Sequence, residues 1–117
     1  MDKAVSAIRS QEKALETARK FALEAKRVCE KHGYRLTSAY LVGSRARGDY
    51  RVDSDIDIVL VVENIDGLDV IDRMKLFSEI LFRVRGNIDY RVYSRREWES
   101  EETLWIKELK KEAKRIL

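Results

Sequence analysis

The sequence predicts an α+β fold: a small mixed β-sheet flanked by α-helices. Three observations lead there. The first thirty or so residues repeat their apolar positions at helical spacing. Three short stretches are rich in Val, Ile, Leu and Tyr, as strands are. These elements follow one another in the order α-β-β-α-β-α, with no repeat, linker or low-complexity tract between them. The chain has 117 residues, 44% of them apolar, which suits one domain over residues 1–117 with a modest core.

Residues 3–31 read as helix. Ala4, Ile8, Leu15, Ala18, Ala22, Ala25 and Cys29 recur at spacings of three, four or seven, and Ala14, Phe21 and Val28 widen the stripe. Lys31-His32-Gly33 is a stop signal, a basic last turn followed by glycine. Such a helix is about 43 Å long, against about 27 Å for an eight-residue strand. One end is therefore expected to overhang the sheet; the alternative is a break near Ser10-Gln11. Residues 34–42 read as the first strand and 56–62 as the second. From Ile58 onward the second strand is apolar on both faces, as in a central, doubly covered strand. Asp66-Gly67-Leu68-Asp69 resembles a helix start, and Leu68, Ile71, Met74, Phe77, Ile80 and Leu81 keep helical spacing to Phe82. Residues 87–93 read as the third strand. Ser94-Arg95-Arg96-Glu97 is a capping box, and 95–117 is expected to form one C-terminal helix, with Trp98 and Trp105 on a shared face. Four Glu between 97 and 102 and five Lys or Arg between 107 and 115 complement its dipole.

Composition narrows the function. Twenty-four basic and 21 acidic residues are interspersed, for a net charge of +3. The pI is about 9.0 without a clustered basic face, so nucleic acid is not the expected partner. Cys29 is the only cysteine and His32 the only histidine. No internal disulfide or cysteine-based zinc site is available, and metal chemistry must rest on oxygen ligands, which points to Mg²⁺ or Mn²⁺. No apolar run reaches the ~18 residues of a membrane span, and no signal peptide is visible; a cytoplasmic location without membrane contact is expected. Abundant Lys, Arg and Glu with one Cys and two Met is compatible with a heat-adapted source.

The chemistry concentrates in residues 41–58. Asp55 and Asp57 lie two apart at the start of a strand, so they project to one face. A carboxylate pair is the minimum needed to hold two hard divalent ions for in-line phosphoryl transfer. Just upstream, Gly43 follows an apolar strand and lets backbone N–H groups approach a phosphate. Ser44 adds a hydroxyl, Arg45 and Arg47 add charge that reaches phosphate oxygens, and Gly48 lets the loop turn. Asp89, in the third strand, is a further carboxylate able to deprotonate an acceptor hydroxyl. Each feature alone is weak, since Asp-x-Asp also occurs at solvated strand ends and Gly-Ser at surface hairpins. The combination carries the reading.

Gly43-Ser44-Arg45-Ala46-Arg47-Gly48 followed by Ser54-Asp55-Ile56-Asp57 resembles the signature of the DNA polymerase beta-type nucleotidyltransferase superfamily, most closely its minimal single-domain members. The resemblance covers residues 18–94, with 1–17 an N-terminal helical extension. It implies a polymerase beta palm-like sheet and transfer of a nucleoside monophosphate from a triphosphate, ATP or another, with release of pyrophosphate. It assigns two Mg²⁺ ions, with Mn²⁺ as the alternative, to Asp55 and Asp57. By the same carry-over Asp89 binds the catalytic ion and activates the acceptor, while Gly43 and Ser44 hold the β- and γ-phosphates. Minimal members of this kind pair with a small all-helical HEPN-type protein, in toxin–antitoxin systems where the transferase is the antitoxin and adenylylates a tyrosine. Two other readings stand beside that one: a non-catalytic antitoxin that masks its partner, and transfer to a small molecule or an RNA end. The short chain leaves no room for an acceptor domain, so the acceptor surface is expected from a partner or from a homodimer.

Overall fold

The computed structural model describes residues 3–117. Helix α1 (Lys3–Lys31) runs unbroken through Ser10 and Gln11. Its buried residues, Ala14, Thr17, Ala18, Phe21, Ala22, Ala25 and Cys29, form one stripe at spacings of three and four. None of residues 3–13 is buried, so the N-terminal turns overhang the sheet, as the length argument expects. Met1 and Asp2 of the expected extension lie outside the described residues. Burial pushes the Cys29 thiol up to about 12, which makes it a packing residue rather than a nucleophile.

The rest of the chain follows as β1 (Arg35–Val42), α2 (Ser44–Arg47), β2 (Ile56–Glu63), a 3-10 turn (Ile65–Gly67), α3 (Val70–Phe77), α4 (Ile80–Arg83), β3 (Ile88–Ser94), α5 (Arg95–Glu99), α6 (Leu104–Glu112) and β4 (Lys114–Arg115). The four strands lie in the order β3-β2-β1-β4. β2 is antiparallel to β1 and parallel to β3, the parallel pair being joined by the helical crossover that such pairing requires. Alternation along β2 divides the core in two. Ile56, Ile58, Leu60 and Val62 pack with α1. Val59 and Val61 face the other way, with Val42, Trp98, Ile106 and Leu109. β2 is thus the central, doubly covered strand that its composition predicts. Among the described residues no helix is long and apolar enough to cross a membrane.

Two expected helices are divided. Over 68–82, the Asp69 carboxylate accepts from the Asp72 N–H at 2.8 Å and starts α3. Ser78 then donates its hydroxyl to the Lys75 carbonyl at 2.9 Å, a side-chain bond that competes with helix continuation and separates α3 from α4. Over 95–117 the correction is larger. The capping box forms with both of its reciprocal bonds, but α5 ends at Glu99, and Glu101 takes the left-handed conformation at φ 50°. Thr103 then accepts from the Ile106 N–H at 3.2 Å and caps a second helix, α6. The stretch between them has Glu, Ser and Thr but no apolar residue to hold a continuous helix on the sheet. Beyond α6 the chain is extended, and β4 pairs Lys114 and Arg115 with Leu41 and Tyr40. Trp98 and Trp105 consequently do not share a face. Trp98 is buried against Tyr40 and Tyr93, ring centroids 5.2 and 6.0 Å away; Trp105 is 53% exposed.

Candidate functional site

The site lies on the α6 side of the sheet. In β2, Asp57 is on the opposite face from Ile56 and Ile58, whose burial against α1 anchors the strand. Asp57 stands in register with Asp89 of β3 on one side and Val42 of β1 on the other. Neighbouring strands are about 4.8 Å apart, so pairing brings Asp57 and Asp89 side by side. Asp55, Asp57 and Asp89 all line one cavity of about 360 Å³, together with Gly43, Ser44 and Arg47.

Gly43 explains how two segments fit so closely. Its φ is +75°, and a Cβ there would lie 2.1 Å from Asp57 Oδ2. Any larger residue would collide with the carboxylate as well as strain the backbone. Directly after it, Ser44–Arg47 makes a single helical turn closed by Gly48 at φ 97°.

The carboxylates crowd one another. Asp57 is held above the ordinary carboxylate range, first by burial and then by the nearby charges of Asp89 and Asp55; Arg91 opposes this only in part. Four carboxylates, those of Asp55, Asp57, Asp89 and Glu112, line the cavity against the two guanidiniums of Arg47 and Arg91. Such an excess of negative oxygen ligands suits a hard cation. Among the described residues no three acidic, histidine or cysteine side chains are already drawn together as an ion cage. Magnesium needs no such cage, because it commonly uses one or two carboxylates and completes its shell with water and substrate phosphates. The donor set therefore fits Mg²⁺ or Mn²⁺.

Of the residues expected at the site, the structure brings Gly43, Ser44, Arg47, Asp55, Asp57 and Asp89 together. It does not bring Arg45. That side chain is 4% exposed, and its guanidinium points into the loop before β2. It donates to the Ser54 carbonyl at 2.9 and 3.1 Å, to the Val52 carbonyl at 3.2 Å, to Gln11 Oε1 at 3.1 Å and to Ser10 Oγ at 3.0 Å. The expectation that Arg45 contacts phosphate is corrected on that ground: its donors are occupied in pinning residues 52–54 to α1. Arg45 thus positions the residues that lead into Asp55.

Trp105, Leu109 and Glu112 complete the cavity from α6. Their spacing of four and three puts them on one helix face. Arg91, two residues beyond Asp89 on the same face of β3, stacks its guanidinium over the Trp105 ring at 4.8 Å. The sequence reading notes Trp105 only for a face shared with Trp98 and assigns none of these residues to the site. The 105-109-112 spacing was available as a signal, but only once α6 is separated from α5.

Residues 24–116 match the nucleotidyltransferase domain family. Among solved structures, the chain is similar to a protein from Sulfolobus solfataricus described as a candidate nucleotidyltransferase, with 34% identity and a TM-score of 0.71 over 94% of this chain and 85% of that one. It is also similar to a chain of a toxin–antitoxin structure with AMP-PNP, at 26% identity and a TM-score of 0.50 over 70% of this chain and 60% of that one. No curated protein matches the chain. The family match over most of the chain, the Sulfolobus neighbour and the four-stranded α+β sheet agree: this chain belongs to the nucleotidyltransferase family.

Proposed function

We propose that the protein transfers a nucleoside monophosphate, AMP from ATP in the leading form, to a hydroxyl on a partner protein, and that it serves as the antitoxin of a toxin–antitoxin pair. The observation that carries the reading is the convergence of Asp55, Asp57 and Asp89 beside the Gly43–Arg47 turn in one open cavity. The likeness to a toxin–antitoxin chain with AMP-PNP supports the partner and the nucleotide. The expected partner is a small all-helical HEPN-type protein and the expected acceptor a tyrosine hydroxyl.

In this reading Asp55, Asp57 and Asp89 would hold Mg²⁺ or Mn²⁺, which when bound supplies positive charge to the phosphates and the attacking oxygen. The Gly43 N–H, the Ser44 hydroxyl and the Arg47 guanidinium donate to phosphate oxygens. Asp89 takes the proton of the acceptor hydroxyl. The acceptor oxygen bonds to the α-phosphorus, the bond from that phosphorus to the bridging oxygen breaks, and pyrophosphate leaves with the electron pair. Arg45 acts at a distance by holding the loop that presents Asp55.

The test is incubation of the protein with ATP, Mg²⁺ and an all-helical HEPN-type partner, followed by intact mass measurement. The partner should gain the mass of AMP with wild type and not with Asp55→Asn. An unmodified partner, or equal modification by both proteins, would refute the proposal.

A further inference from the structure

Glu112 is the last residue of α6, 69 positions from Gly43. One of its oxygens, Oε2, accepts from the Gly43 N–H and also from Arg47 Nη1 at 3.1 Å. The proposed function assigns those same two donors to phosphate. The Glu112 side chain is only 21% exposed, so the bonds are partly shielded from water and its carboxylate is set inside the cavity.

The placement is unfavourable on its own terms. It brings a fourth carboxylate towards Asp55, Asp57 and Asp89 in the same cavity, and like charges at close range repel. What offsets this is a pair of donors suited to an anion. The backbone at Glu112 is held: Ala113 donates its N–H to the Leu109 carbonyl at 3.0 Å, and the chain then enters β4, which pairs with β1. Displacing the carboxylate therefore needs a change of side-chain rotamer, not a movement of the helix.

We infer that Glu112 is a built-in competitor for the triphosphate: its carboxylate occupies the phosphate donors of Gly43 and Arg47 until a polyphosphate displaces it. The inference rests on the reading of the Gly43–Arg47 turn as the phosphate site. Glu112 is then a gating residue for nucleotide binding. A triphosphate, with several oxygens and its accompanying cation, displaces the glutamate and relieves the crowding of the aspartates. A small monoanion does neither.

The probe is inorganic tripolyphosphate with Mg²⁺, which has neither base nor sugar. Its affinity is measured by calorimetry for wild type, Glu112→Gln, Glu112→Ala and the control Glu108→Gln, one turn earlier on α6. Glu108 pairs with Lys111 on the surface. Loss of a competing charge-assisted acceptor should tighten binding about ten-fold in Glu112→Ala and somewhat less in Glu112→Gln. The control should stay within about two-fold, since a surface pair contributes little. Unchanged or weaker binding by both Glu112 variants overturns the inference, as does absence of measurable binding in all four proteins.

A second measurement needs no variant. The Gly43 amide resonance of the free protein should shift when tripolyphosphate is added; an unresponsive Gly43 resonance overturns the inference. The outcomes separate from those of the transferase reading. Tighter binding without any labelled partner sinks the transferase proposal alone. Transfer with unchanged affinity sinks the gate alone.

Discussion

Two charged clusters on this sheet are built from similar residues and behave oppositely. At one end of β3, Arg73 is buried and forms a two-pronged pair with Glu97 at 2.7 and 3.2 Å. The same guanidinium donates to the Leu68 and Val92 carbonyls, and Glu97 also accepts from the Ser94 N–H at 2.8 Å. At the other end, Asp57 is raised by burial and by two neighbouring carboxylates, while Glu97 is lowered, chiefly by its bond to Arg73. In the first cluster charge meets its complement within the chain, which closes the crossover helix onto the sheet. In the second an excess of one sign is held together by strand pairing. The lesson is that opposite pKa directions separate scaffold from site more clearly than the residue types do.

Substitutions that invert each cluster give the sharpest contrasts. Asp57→Asn should lower nucleotidyl transfer on the order of a thousand-fold, judged against the usual contribution of a reacting-site group. It should nevertheless leave the metal-free protein as stable as wild type or more so at neutral pH. The sign follows from the raised carboxyl: between its unfolded and folded values the native state holds more protons, so charging it weakens the fold as pH rises. Thermal melting in a chelator, with and without the substitution, checks this; a strongly destabilised variant breaks the contrast.

Glu97→Ala should do the reverse. Leaving Arg73 buried without its partner costs about 3 kcal/mol, seen as a shift in denaturant midpoint, with transfer retained at temperatures where the variant is folded. Because Glu97 is depressed, its stabilising contribution is present above the ordinary carboxylate range near pH ~4 and is lost as pH falls through the lower folded value. The acid limb of the stability curve should therefore be shallower in Glu97→Gln. The smallest effect belongs to Lys20, whose 3.1 Å pair with Glu16 is solvated on both sides. Lys20→Ala should change stability by less than about 0.5 kcal/mol. A larger value would mean that pairing alone, without burial, explains the Arg73 cluster.

Much of this was legible in local spacing. The stripe of α1 from Ala14 on and the Ser94–Glu97 capping box are short-range patterns, and each appears in the structure as its spacing predicts; Asp55 is a partial case, since β2 begins at Ile56 and Asp55 lines the cavity with Asp57 from the residue before the strand. What was not legible depends on distant partners. Arg45 looks like a phosphate ligand in sequence because nothing nearby shows that the Ser54 carbonyl and Ser10 of α1 will use its donors. The 95–117 segment is rich in helix formers apart from Ser100 and Thr103, so its division rests on that short stretch, on the Thr103 cap and on the packing of Trp98 between Tyr40 and Tyr93. Glu112 reaches the site only because that division turns α6 across the sheet.

The central claim is that the acidic cluster supports nucleotidyl rather than phosphoryl transfer. The most direct measurement supplies the protein, Mg²⁺ and an all-helical partner with ATP labelled at the α-phosphate or at the γ-phosphate. The α-label should become attached to the partner, the γ-label should leave with pyrophosphate, and Asp57→Asn should attach neither. Attachment of γ-label, or α-labelling that survives Asp57→Asn, would contradict the claim.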